Sequence, residues 1–138
     1  SIAMLIEHDG RRVLVSGDAR STVLLKSLEK LSPGGSVEVD ALHVPHHGSK
    51  ANVSIDLLKK VKTSRYMFST NGSSHHHPDQ ETVARVLKAK QGHATLIFNY
   101  RSDESAVWDD PGLKDHFGYD TIYPEDPGAA SKGVVIEL

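Results

Sequence analysis

The sequence contains no cysteine, which excludes disulfides and thiolate metal sites; any transition metal must be held by His, Asp or Glu. No apolar run approaches the length of a membrane span, and the start does not read as a signal peptide. Charge of one sign is not in excess either. Lys and Arg total 16 against 18 Asp and Glu, a formal net charge of -2. That balance offers nucleic acid no general attraction, so a nucleic-acid role would need a local basic patch or bound metal ions. There is no internal repeat, low-complexity tract or linker. Strand-like sequence begins already at Ile2, so a truncation, a cleaved product or a fragment is expected.

What is present is enough for one small domain spanning residues 1–138. Hydrophobic residues make up 38% and charged residues 25%, a composition that folds. Nine histidines is a high count for this length, and five fall in two groups, His46-His47 and His75-His76-His77.

Periodicity places the elements. The near-continuous apolar stretch from Ile2 to His8 reads as a strand buried on both faces. Asp9-Gly10 is a two-residue hairpin turn, returning the chain through Val13 to Val15. Leu24, Leu25, Leu28 and Leu31 share one face of a helix from Ser21 to Leu31, which Ser32-Pro33-Gly34-Gly35 stops. A short strand from Asp40 to Pro45 follows. A second helix runs from about Ser54, its N-cap, to Val61, and a strand from Arg65 to Ser69. Pro78 suits the first position of a third helix, with Val83, Val86 and Leu87 inward and Gly92 at its end. Ala94 to Phe98 is a strand; Tyr100 to Phe117 is irregular, with a short helix near Leu113. Tyr119 to Tyr123 and Val134 to Leu138 close the chain as strands. The pattern is α/β and layered.

Three segments carry candidate chemistry, each after a strand end, where open α/β sheets bind ligands. In Ser16-Gly17-Asp18, Asp18 either caps the helix near Ser21 or supplies a carboxylate to metal. In His43-Val44-Pro45-His46-His47-Gly48-Ser49, adjacent imidazoles precede a glycine turn whose N–H groups can face an anion. His43 is read as packed within the strand; His46 and His47 are either ligands or solvated loop residues. Thr70-Asn71-Gly72 leads to His75-His76-His77-Pro78. His77 is expected at the N-terminus of the third helix, able to bond a phosphate or give a proton to a leaving oxygen. His75 and His76 are read as exposed. Asp18, His46 and His77 are expected within about 10 Å of one another, the scale of a dinuclear site with substrate.

In this order, Gly17-Asp18, Val44-Pro45-His46-His47-Gly48-Ser49 and the glycine loop ending in His77-Pro78 resemble the C-terminal half of the metallo-β-lactamase superfamily. The likeness is nearest to the hydrolase domain of ComEC-type DNA-uptake channel proteins and their soluble relatives, and its motifs cover about Ile2 to Leu87. It implies half of an αββα sandwich, a mixed sheet with helices on one face. It also implies two divalent ions, zinc or else manganese, that activate a water. By the resemblance Asp18 is the bridging carboxylate and His46, rather than His47, the last histidine ligand. His77 faces the reacting group, His47 is placed beside it as catalytic, and Ser49, Asn71 and Gly72 are placed at the substrate.

The superfamily signature H-x-H-x-D-H is absent from these residues and belongs to an N-terminal half expected to precede Ser1. The chain alone should therefore hold metal weakly or not at all, be inactive, and self-associate through a face that the other half would cover. The implied substrate is a phosphodiester, in nucleic acid or a nucleotide. A lactonase or esterase of the same fold, or a metal-free anion-binding or regulatory domain, are the alternatives. The expected location is cytoplasmic, or extracytoplasmic within a DNA-uptake channel protein.

Overall fold

Asp9 and Gly10 both take positive φ, 46° and 75°, and this turn folds β1 (Met4–His8) back on β2 (Arg11–Val15) as an antiparallel hairpin. The computed structural model describes residues 1–125 and 133–138. After the hairpin the chain repeatedly winds from strand to helix to strand. The elements are α1 (Ser21–Leu31), β3 (Val37–Glu38), β4 (Ala41–His43), α2 (Ile55–Lys60), β5 (Val61–Lys62) and β6 (Arg65–Phe68). They continue with α3 (Gln80–Ala89), β7 (Ala94–Phe98), α4 (Asp103–Ala106), α5 (Pro111–Phe117) and β8 (Tyr119–Ile122). The main sheet has the order β1-β2-β4-β6-β7-β8, parallel except for β1, and β3 pairs with β5 in a small parallel ladder.

Each parallel crossover steps to the next strand in the same direction. The right-handed rule therefore stacks the crossover helices on one face of the sheet. There α2 packs between α1 and α3. Strand register gives the two faces different rows, because side chains alternate along a strand. Leu14, Leu42, Tyr66 and Leu96 lie in register, all 4% exposed or less, and form the core with Leu28, Leu57, Val83 and Val86. The opposite face carries Met4, Val15, His43, Met67, Ile97 and Ile122 as one row across all six strands. Of these Met4 is 51% exposed and Ile122 37%.

The leading strand differs from its expectation. It is the edge strand beside β2, and Met4 and Ile6 are 51% and 48% exposed, as is Ile2 before it at 79%, with no layer over them among the described residues. Leu31 is likewise exposed, at the end of α1 beyond the core. Residues 134–138 form no strand; there Arg65 Nη1 donates to the Glu137 carbonyl at 2.7 Å.

The irregular stretch resolves into α4 and α5, organised by aromatics and by Asp109. Phe68, Phe98 and Tyr123 stack in sequence, and Arg101 lies 4.5 Å from the Tyr123 ring centre. Asp109 accepts from Lys114, Arg101 and Thr121, and these donors hold its carboxyl down at about 2.

Candidate functional site

The loops at the C-terminal ends of β2, β4 and β6 meet above the sheet, and backbone bonds lace them together. The His46 N–H donates to the Gly17 carbonyl at 2.9 Å, which fixes the Asp18 loop against the His46 turn. The Asp79 N–H donates to the Gly48 carbonyl at 3.1 Å, and the Lys50 N–H donates to Asp79 Oδ2 at 2.7 Å. Arg85 of α3 reaches across to the carbonyls of Lys50 and Val53, both at 2.7 Å. A flexible-looking histidine loop is thus clamped by three neighbouring elements.

Within it the backbone is strained. His46 and His47 sit consecutively in the left-handed region, at φ 47° and 58°, inside the 3-10 turn Pro45–Gly48. For non-glycine residues each such placement costs on the order of 1–3 kcal/mol. Gly48 continues the turn at φ 87°, and a Cβ there would meet Pro78 Cβ at 2.7 Å and Phe68 Cδ1 at 3.1 Å. Gly48→Ala should therefore destabilise the fold by about 2–4 kcal/mol, through positive-φ strain and overpacking against Pro78. Urea unfolding checks this. An unchanged midpoint would mean that the two loops are not pressed together.

Side chains then converge. The His46 ring centre lies 5.9 Å from both His47 and His77, and His75 lies 5.8 Å from His77. His47 Nε2 is 3.9 Å from Asp18 Oδ1. Asp18 does not cap α1: Arg20 holds the N-cap position, without a side-chain bond, and the Asp18 carboxylate is 61% exposed. The His47 Nδ1 donates to the Ser69 carbonyl at 2.5 Å and the His46 Nδ1 to Asn52 Oδ1 at 2.9 Å. Both rings therefore keep Nε2 free, since each Nδ1 faces an oxygen acceptor.

His77 is nearly enclosed, its side chain 12% exposed. Its Nδ1 is buried and lies 3.6 Å from Asp79 Oδ1. Burial lowers its pKa from the ordinary histidine value, against an opposing pull from Asp79. The helix expected to begin at Pro78 starts instead at Gln80. Asp79 keeps an extended backbone, φ -64° and ψ 139°, and so takes the N-cap position, while its carboxylate accepts from the Lys50 N–H instead of capping α3. His43 is packed in the sheet as expected, and burial lowers its pKa also.

A cleft of about 350 Å³ is lined by His46, His47, Asn71, His75 and His77 among others. Ser49 is buried in the turn, its N–H donating to the His46 carbonyl at 2.9 Å. Gly72 is buried behind the loop, with its N–H donating to Thr70 Oγ1 and its Cα facing Glu104. Asn71 Oδ1 is engaged by the Ser73 N–H and hydroxyl. The structure thus brings Asp18, His46, His47 and His77 together, sets Asn71 on the wall, and leaves Ser49 and Gly72 as frame. Residues 75 and 76 are exposed, His76 pairing with Glu104 at 2.9 Å. A larger hollow of about 460 Å³ at the opposite edge, lined by Arg12, Asp40 and Lys62, holds charges already engaged with one another or with nearby Glu7, Glu38 and Arg11.

Sequence reasoning passed over Asn52, Asp79 and Glu104. Each acts on the site through a hydrogen bond or ion pair rather than by lining the cleft. The donor set fits part of a metal shell: an exposed carboxylate and imidazoles with free Nε2 atoms. It is not a whole one, because among the described residues no three His, Asp or Glu side chains converge as a metal-holding group. No helix among the described residues is long and apolar enough to cross a membrane.

No protein-family model matches the chain, and no solved structure matches it. It is 29% identical over 111 residues to microtubule-associated protein 1A of Homo sapiens, covering 74% of this chain and about 4% of the length of that curated relative.

Proposed function

We propose that this chain supplies the C-terminal part of a metal-dependent hydrolase site of the metallo-β-lactamase kind, acting on phosphodiesters. One observation carries the reading: adjacent histidines in strained left-handed conformations, with Nδ1 bonded inward and Nε2 free, beside an exposed carboxylate. Backbone strain of this sort persists where the surroundings impose it, and it clusters at functional sites. Asp18 and His46 would hold metal, and the remaining ligands would have to be supplied by residues other than these 138. Bound divalent ions supply Lewis-acid charge and an activated water.

The chain's own residues do the rest. The Asp79 carboxylate favours a proton on His77 Nδ1, leaving Nε2 as the atom that exchanges a proton with substrate. Nε2 takes a proton from the attacking water and gives it to the leaving oxygen, while Asp79 stabilises the imidazolium. His47, held by Ser69, stands between Asp18 and the cleft, where it orients the attacked group. The cleft lining has no Lys or Arg, so charge on a bound phosphate would be met by metal ions. The substrate class rests on the likeness of the Val44–Ser49 string and His77-Pro78 to DNA-uptake hydrolases. The exposed ends of the row, Met4 and Ile122, suit packing against a second sheet, which would complete an αββα sandwich, while Ile97 within the row is already 5% exposed.

Hydrolysis of bis-nitrophenyl phosphate by the full-length protein, beside a lactone and a carboxylic ester, tests the proposal. Metal-dependent turnover of the phosphodiester supports it. Turnover of the esters alone would move the site to the esterase class.

A further inference from the structure

Asn52 is 7% exposed, lies six residues beyond His46, and touches both parts of the site through one amide. Its Nδ2 faces two main-chain carbonyls, those of Asp18 at 3.2 Å and Ala19 at 3.4 Å. Carbonyls only accept, so the nitrogen must point there and the amide cannot be turned over. Oδ1 is then the atom facing His46 Nδ1, at 2.9 Å. An amide oxygen also only accepts, so a neutral His46 must carry its proton on Nδ1, which leaves the lone pair on Nε2.

The amide has little freedom to move. The Asn52 N–H donates to the Ser49 carbonyl at 3.0 Å, and its own carbonyl accepts from Ser21 Oγ at 2.6 Å. The ring it holds belongs to a residue fixed at φ 47° by the turn. One buried side chain thus joins the His46 ring to the strand end that carries Asp18.

We infer that Asn52 is the positioning residue for His46: it selects the tautomer whose Nε2 can bind a metal and keeps that atom in register with the Asp18 carboxylate. This rests on the proposed metal site and extends it to a residue that touches neither metal nor substrate. Partners of this kind, bonded to the second nitrogen of a ligating imidazole, fix ring orientation and raise ligand basicity. Asn52→Leu keeps the bulk and removes the acceptor. Asn52→Asp keeps an acceptor for Nδ1–H and removes the donor to the two carbonyls.

Long-range nitrogen–proton NMR of the metal-free chain reads the tautomer directly. His46 should be the Nδ1–H form in the wild type and in Asn52→Asp. In Asn52→Leu it should shift toward the Nε2–H form that free imidazole favours. In the full-length protein, zinc affinity should fall on the order of 10–100-fold in Asn52→Leu. An Nε2–H tautomer in the wild type, or an unchanged tautomer and zinc affinity in Asn52→Leu, would overturn the role. The wild-type measurement needs no variant, so the inference stays testable if Asn52→Leu does not fold. Zinc that leaves His46 Nε2 unperturbed in the full-length protein, with the Nδ1–H tautomer present, would overturn the metal site and leave the positioning of the ring standing.

Discussion

Asp18→Ala in the full-length protein should abolish metal binding and hydrolysis together. In the proposed site this carboxylate would hold metal, and alanine offers no donor in its place. The structure makes the experiment clean. Asp18 is 61% exposed at its side chain, makes no cap to α1, and lies 3.9 Å from His47 Nε2. Surface substitutions of this type usually change stability by no more than about 0.5 kcal/mol. Loss of metal would therefore report a lost ligand and not a lost fold. Calorimetric titration with zinc and a bis-nitrophenyl phosphate assay read the two effects separately. Full activity in the variant would sink that role.

His77→Ala should behave differently, keeping metal while turnover drops on the order of a hundredfold, the scale of general acid–base groups. At 1.36 kcal/mol per tenfold this is about 2.7 kcal/mol of transition-state stabilisation. His77 lines the cleft, yet its Nδ1 is buried against Asp79, so Nε2 is left to meet the substrate. Burial holds its pKa below the ordinary histidine value of about 6.5, so the ring is neutral near neutral pH and able to accept a proton. The acid limb of kcat/KM should consequently lie below that value and disappear in the variant. Metal analysis, steady-state kinetics and the pH profile check it. A variant that loses its metal would make His77 a ligand, and one of unchanged kcat would remove it from the chemistry.

Much of the architecture was legible because it is local. α1 matches its expected bounds: Leu24 and Leu28 repeat at helical spacing, and Ser32 to Gly35 stop the chain. Ser54 caps α2 through the Leu57 N–H as its position implied. The Asp9-Gly10 hairpin followed from the need for positive φ at both residues. Where burial depends on a covering layer, local pattern misleads. Ile2 to Ile6 are apolar enough for an interior strand, yet they lie at the sheet edge, with no second sheet over them among the described residues. The strands β3 and β5 are two residues each, too short for an alternating pattern.

The site divides in the same way. Asp18, His46 and His77 could be picked out because strand ends and turn residues mark them along the chain. The residues that hold them could not. The Asp79 carboxylate bonds Lys50, 29 positions away, and Asn52 reaches back 34 positions to the Asp18 carbonyl. Such partners exist only once the crossovers have brought three strand ends together.

Metal content and phosphodiesterase activity of the full-length protein, measured together before and after chelation, test the central claim most directly. About two zinc or manganese ions per chain are expected, with hydrolysis lost on chelation and restored when either metal is returned. Undiminished hydrolysis by metal-free protein, or a correctly folded full-length protein that neither binds metal nor hydrolyses the substrate, would contradict it.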